Sequence, residues 1–528
     1  MKNITNVFLV LLLFLLGSCT DLDVPPGENL LTPEVLFEDE SSYRSFLARI
    51  YSGLAVTGQQ GPAGRQDLFS LDEGFSQYLR QYWQLQELTT DEAIIAWGDE
   101  GLPDLHNHTW TAANQFVNAM FFRIAFQVTM ANELLRESTA EKLDEREVSD
   151  GIRADIVNYR AEARWLRALS YWHAIDMFGS FPFYTEESPF GGDPPTQGTR
   201  QEIFEFIVSE LNAIEADMVA PGAQEYGRAD RAALWMLQAK IYLNAEVYSG
   251  TARNTEALAA LNKVIGTGLY SISDPFQNLF LTENHNSTEF IFAIPFEGLR
   301  TQSFGGMTYL THAPVGGTME DVVETDFGIN GGWFGLRTTS AIVDLFPSET
   351  TFPDSRALFW TDGQTKDIAS IGDFSNGYGL PKYRNVSADG VPGTDLVHPD
   401  TDYPMFRLAD AYLMYAEAVL RGGTGGDMGT AVGYINELRE RAYGNTNGNI
   451  EMADLDLPFV LDERGRELYW EGHRRTDLIR FNQFTENGVW PWKGGVAEGQ
   501  TTESFRNIFP IPSTELLANP NLSQNPQY

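Results

Sequence analysis

The sequence predicts a mostly α protein, a tetratricopeptide-like helical-hairpin scaffold with an irregular, loop-rich segment set into it. Three observations predict this class. Apolar positions recur at steps of three and four over several long stretches. Small residues are dense in those same stretches, which lets neighbouring helices approach closely. Between about residues 271 and 403 the helical period disappears, and glycine, aromatic and β-branched residues take its place.

Taken in order, the chain opens with Lys2 and an apolar run from Val7 to Leu16, followed by Gly17, Ser18 and Cys19. The run is shorter than the ~20 residues a spanning helix needs and suits the core of a signal peptide. Residues 1–18 therefore read as a lipoprotein signal peptide. Cys19, the only cysteine, reads as the acylated mature terminus, with no disulfide partner to compete for it. Residues 19–33 carry Asp21, Asp23, Pro25, Pro26, Gly27 and Pro33 without periodicity and read as a lipid-anchored flexible tether. Residues 34–528 read as a single body.

Within that body the period predicts a helix over Ser41–Leu54 and hairpins at about 113–178, 200–265 and 406–443. In the first hairpin, Phe116–Arg136 is followed by Arg153–Phe178, where Ile156, Tyr159, Ala163, Leu166, Ser170, Tyr171 and Ala174 mark one face before Gly179 and Pro182 stop the helix. Arg200–Met218, Arg228–Tyr248 and Thr255–Ile265 make the second, and Phe406–Arg421 with Thr430–Tyr443 the third. The segment at about 271–403 should be loops, short strands and short helices draped over the scaffold, the natural place for ligand binding. Residues 461–528 hold a charged block and then a tail, from Pro510, that should be extended.

The net charge of −37 repels phosphate backbones and excludes nucleic acid as a partner, while leaving a neutral ligand unaffected. None of the seven histidines has metal-ligand spacing, and no nucleotide-binding or nucleophile motif is present, so no cofactor or metal is expected. A glycosidase needs a carboxylate pair, which 73 acidic residues leave unidentifiable. In the block around Glu463, Arg464, Arg466, Glu467, Glu471, His473, Arg474, Arg475 and Asp477, a single histidine beside two arginines is a poor cation site. Interleaved charges there read as a partly buried ion-pair network tying the C-terminal helices together.

The tryptophans divide by setting. Trp165, Trp172, Trp235 and Trp470 sit within helical patterns and read as core. Trp97, Trp333, Trp360, Trp490 and Trp492 sit in predicted loops, where an indole exposes a large apolar surface unless something covers it. A sugar ring offers one apolar C–H face and a rim of hydroxyls, so an aromatic plane beside polar side chains matches it. Ile95–Glu100, with Trp97, Asp99 and Glu100, and Asn330–Gly335, with Asn330 and Trp333, each provide that pairing.

Tyr159–Ala168 with Met177-Phe178-Gly179 and Pro182, Arg407–Ala418, Leu461–Arg480, and Phe509-Pro510-Ile511-Pro512 with Gln524-Asn525 occur in the order in which similar blocks occur in the SusD/RagB lipoproteins. Gln86–Ala93 also resembles the stretch that precedes the binding loop there. The resemblance implies a lipid-anchored protein of the outer membrane, exposed on the cell surface and without catalysis. Such a protein captures glycan and acts as a hinged lid on a SusC-type TonB-dependent transporter. By position it implies that Arg80, Trp97, Glu100, Tyr309 and Trp333 contact sugar, with Glu100 standing where the family is expected to place an amide. A neutral glycan is expected, α-glucan before β-glucan or fructan. A surface glycoside hydrolase and a purely structural transporter lid are the competing readings.

Overall fold

The computed structural model describes residues 32–62, 66–68, 72–189, 191–347 and 353–528. The expected signal peptide, Cys19 and nearly all of the tether lie outside the described residues. The scaffold is a succession of antiparallel helices. Gln115–Glu137 packs on Asp150–Met177, which packs on Arg200–Ile214, and Arg231–Leu243 packs on Asn254–Gly266. Asn254–Gly266 then lies against Leu408–Leu420, which pairs with Met428–Tyr443. The stack thus resumes after the loop-rich insertion as if the insertion were absent. Ala232, Ala233, Ala239, Ala257, Ala409 and Ala416 are all fully buried, and their short side chains permit this close stacking.

Local sequence starts and stops these helices. Asn114 accepts from the Phe116 and Val117 N–H groups, and Asp230 caps Ala232 and Ala233 in the same way. Thr199 and Glu202 close a reciprocal capping box. Gly444, at φ 66°, ends the Met428–Tyr443 helix in the left-handed conformation that glycine adopts without strain.

Three elements differ from the sequence expectation. Residues 403–407 form a strand, Tyr403–Arg407, that pairs antiparallel with Phe290–Ile294, so the third hairpin starts at Leu408 and not at Phe406. The tail is not wholly extended, because Ser513–Ala518 is helical. Tyr78–Glu87 is a helix absent from that expectation, although Tyr78, Tyr82 and Leu85 recur at steps of four and three; it is short and buried on nearly every side, and its glutamines bond within the core. Gln86 donates to Asp176 Oδ2 (3.0 Å), Gln84 to Tyr309 Oη (3.3 Å), and Gln77 caps the helix at Arg80.

The charged block is more deeply buried, and more widely connected, than interleaved pairing would make it. Arg407 donates from Nε to Glu471 Oε2, from Nη1 to Glu289 Oε1 and Glu467 Oε1, and from Nη2 to the Glu467 carbonyl, all at 2.7 Å, and again from Nη2 to Glu471 Oε1 at 2.8 Å. Glu463 is shared by Arg356, Arg439 and Arg466. Arg464 bridges Asp477 (2.7 Å) and Asp410 (2.9 Å). Arg474 and Arg475 leave the block to meet Asp91 (2.7 Å) and Asp176 (3.4 Å), partners from the first third of the chain. Among the described residues His473 makes no ion pair. Its Nδ1 lies 3.3 Å from Lys240 Nζ, and burial pushes its pKa down to about 3, so the ring is neutral.

Removing Arg407 leaves three buried carboxylates short of their shared partner, so Arg407→Ala is expected to cost about 3–5 kcal/mol in chemical denaturation. Arg253→Ala, at the solvent-exposed pair with Glu205, should stay within about 1 kcal/mol. Neighbouring guanidinium groups hold the Glu463 and Asp477 carboxyls, against their burial, down to about 2. Their contribution is therefore complete above the ordinary carboxylate range and is lost as pH falls through about 2. Thermal melts from pH 6 to pH 2 should show stability falling steeply below pH 4, and a flat profile there would contradict this account.

Candidate functional site

Two short strands bring the distant aromatic loops together. Ala93–Ile95 pairs antiparallel with Leu336–Thr338, and Ala96 N–H extends the ladder to the Gly335 carbonyl at 2.9 Å. Trp97 follows the first strand and Trp333 precedes the second, so their rings meet with centroids 6.4 Å apart at 43°. Trp97 Nε1 donates to the Trp333 carbonyl at 3.0 Å, which fixes the indole and spends its only donor. Gly335 is required beneath it, since a Cβ there would lie 2.6 Å from Trp97 Cε2. Trp333 is held from behind by His312, whose ring stacks on it at 4.9 Å and 23°. The His312 nitrogens face the Gly331 and Val397 carbonyls at 2.8 and 2.9 Å.

Arg80 comes from the buried Tyr78–Glu87 helix, and its guanidinium lies over the Tyr309 ring at 4.4 Å. Tyr309, on the Gly306–His312 helix, is fully buried and supports both Arg80 and Trp97, whose ring meets it edge-on at 6.0 Å. Burial lowers the Arg80 pKa, while Tyr309, Asp72 and Asp99 act in the opposite sense. Among the described residues Arg80 forms no ion pair, and its nearest acceptor is the Phe304 carbonyl at 3.5 Å.

These side chains open onto one recess of about 640 Å³, lined by Arg80, Trp97, Asp99 and Trp333 together with Asp72, Glu73, Phe75, Gln115 and Phe304. The structure thus gathers four of the expected residues and places Tyr309 directly beneath them. Glu100 and Asn330 are exposed and do not line the recess. At Glu100 the backbone carbonyl instead accepts from Gln115 Nε2 at 2.7 Å, so the amide in the recess belongs to Gln115. Sequence reasoning missed Gln115, which reads as the first turn of a helix, and Phe304, which sits in no motif.

The remaining loop tryptophans pack structure. Trp490 is only 5% exposed and lies under Lys493 Nζ. Trp360 donates to Thr318 Oγ1 and Trp492 to the Ile368 carbonyl, both at 2.9 Å. Among the described residues no group of His, Cys, Asp and Glu is arranged to hold a metal. The recess offers ring faces, a guanidinium without an ion pair among the described residues, an amide and carboxylates, a set suited to holding a polyhydroxylated ligand by stacking and hydrogen bonds.

Fold and recess together define a class of helical-hairpin proteins whose loop-rich side carries a ring-lined recess. A SusD superfamily protein of Parabacteroides distasonis shares this fold with a TM-score of 0.71 at 20% identity, over 94% of this chain and 100% of that one. So does surface glycan-binding protein A of Bacteroides thetaiotaomicron, solved with laminarihexaose, with a TM-score of 0.67 at 19% identity, over 92% and 98%. The chain belongs to the SusD family. The family pattern matches residues 355–528, and the whole chain aligns with 99% of the starch-binding protein SusD of Bacteroides thetaiotaomicron at 33% identity.

The geometry at Gly335 gives a direct test. In Gly335→Ala the added methyl must displace the Trp97 indole, so near-ultraviolet circular dichroism and tryptophan emission should change while the far-ultraviolet spectrum stays as it is. An unaltered aromatic signature would show that the indole is not seated on that glycine.

Proposed function

We propose that the protein captures a neutral oligosaccharide or polysaccharide at the cell surface without hydrolysing it, in the recess between Trp97, Trp333 and Arg80. The observation that carries this reading is the pair of indoles fixed at 6.4 Å beside a guanidinium that, among the described residues, forms no ion pair. Because the Trp97 N–H is already spent on a backbone carbonyl, the ring offers its face, which matches the C–H face of a sugar. Arg80, Gln115 and Asp99 supply donors and acceptors for hydroxyl groups. Asp72, Glu73 and Asp99 around the recess, with a net charge of −37, disfavour uronates and sulfated glycans.

An α-glucan is the favoured ligand. The supporting likeness is to a relative named as starch-binding at 33% identity over the whole chain. β-Glucan and fructan follow. In this reading residues 1–18 direct export, Cys19 is acylated and anchors the protein in the outer membrane, residues 19–33 form the tether, and residues 34–528 form one binding body. The body acts as a lid that delivers glycan to a SusC-type TonB-dependent transporter.

Calorimetry and affinity electrophoresis against starch, laminarin, fructan and pectin test the reading, with retention by starch and none by pectin as the expected result. Sustained release of reducing ends from any of them would sink the binding-only function in favour of hydrolysis. Trp97→Ala and Trp333→Ala should each weaken binding about tenfold or more, equivalent to about 1.4 kcal/mol, with the fold intact. Unchanged affinity in both would remove the site. Cys19→Ala should abolish retention on the cell surface while leaving the affinity of the released protein unchanged.

A further inference from the structure

Two carboxyls meet in the core without a counter-ion of their own. Glu87 ends the Tyr78–Glu87 helix that carries Arg80, and Glu92 stands just before the Ala93–Ile95 strand that leads to Trp97. Both are buried, and both bind the same turn. Glu87 Oε1 accepts from the Gly472 N–H at 2.6 Å and the His473 N–H at 3.2 Å, and Glu92 Oε2 accepts from the Trp470 N–H at 2.9 Å. Side by side on that turn, the two carboxyls also face one another. Glu87 Oε2 receives no donor among the described residues.

The nearest cations are committed elsewhere. Arg474 gives its hydrogen bonds to Asp91 at 2.8 and 2.7 Å and reaches Glu92 Oε1 only at 3.8 Å. Lys382 is paired with Glu471 at 2.8 Å and meets the Tyr469 carbonyl. Tyr82, Tyr383 and Tyr403 face the pair as phenols that burial keeps neutral, and the Asp91 charge adds to the repulsion. Two full negative charges here would repel in a dry interior, whereas one proton between them makes a charge-assisted O–H···O bond. Burial, and for Glu87 also the Glu92 charge, accordingly raises both carboxyls above the usual carboxylate range.

We propose that Glu87 and Glu92 share one proton at neutral pH, Glu87 Oε2 donating to Glu92, and that this bond is a pH-sensitive clasp joining the Arg80 helix and the Trp97 strand to residues 470–473. At alkaline pH the proton passes to solvent, both arms carry like charge and the clasp loosens. Trp83, whose Nε1 donates to the Trp470 carbonyl at 2.9 Å, reports the movement. A carboxyl raised in the folded state contributes most below the ordinary carboxylate range and loses that contribution as pH rises through the raised value, the reverse of Glu463 and Asp477.

Thermal melts and near-ultraviolet circular dichroism between pH 6 and pH 9, with infrared spectra at pH 7, test this on the intact protein and on Glu87→Gln, whose amide donates to Glu92 without a titrating proton. The melting temperature of the unaltered protein should fall by about 2 °C or more over that range. In Glu87→Gln the fall should be smaller, and the aromatic signature should no longer follow pH. A protonated-carboxyl stretch present at pH 7 should weaken in the variant. Equal pH slopes and equal carboxyl bands in the two proteins would overturn the proposal. If Glu87→Gln does not fold, the absence of a protonated-carboxyl stretch from the unaltered protein at pH 7 would overturn it alone.

Discussion

The Arg407 guanidinium donates through all five of its N–H groups to Glu289, Glu467 and Glu471, with no solvent to share the work. A buried charge of this kind is tolerated only when its hydrogen bonds are complete, so the elements that supply the acceptors must all arrive in one arrangement. Those elements are the Phe290–Ile294 and Tyr403–Arg407 strand pair, the Leu457–Leu468 helix and the turn after it. Glu471 passes the constraint on to Lys382, whose ammonium also meets the Tyr469 carbonyl. Gly472 N–H then donates to Glu87 Oε1 at 2.6 Å, at the end of the helix that carries Arg80. The Trp470 ring meets Trp83 at 5.2 Å, Trp83 meets Tyr309 at 5.8 Å, and Tyr309 lies under Arg80. Continuous contact therefore joins the ion-pair core to the floor of the recess.

How much of this could be read from residues alone depended on where each residue's partner lies. The hairpin helices are long and rich in alanine and other apolar residues at helical spacing, a signal that persists even in Arg231–Leu243 and Leu408–Leu420, where no residue is exposed, and the expected stretches fall within a few residues of the observed ones. The Tyr78–Glu87 helix spans only ten residues, and Gln81, Gln84 and Gln86, which bond one another and Asp176, interrupt its apolar stripe, so it is harder to pick out than the long hairpin helices. Arg474 and Arg475 look like partners for the carboxylates beside them, yet they meet Asp91 and Asp176. Pairing over hundreds of positions carries no local signature.

The recess divides along the same line. Trp97 and Trp333 stand out because indoles among glycines have no obvious reason to be there, and Arg80 and Tyr309 followed from family resemblance. Glu100 stands close to Trp97 in sequence, yet it lies in the turn beyond the strand with its side chain exposed outside the recess, and its carbonyl engages Gln115. Phe304 carries no neighbouring motif, and only the folded chain brings it to the recess. What distinguishes the recess physically is that its rings are held by main-chain groups. Trp97 is tied to a carbonyl, Trp333 rests on a histidine pinned between two carbonyls, and Gly335 clears the space between them.

The ladder that unites the two indole loops spans only three residues on each strand and is made of backbone hydrogen bonds. Replacing an indole by another side chain therefore alters the ladder little, and altering loop length beyond it does not reach the helices. Such a recess behaves as an interchangeable part. Ligand preference can drift by substitution at a few rim positions while the buried charges, which cannot be changed singly, hold the architecture still.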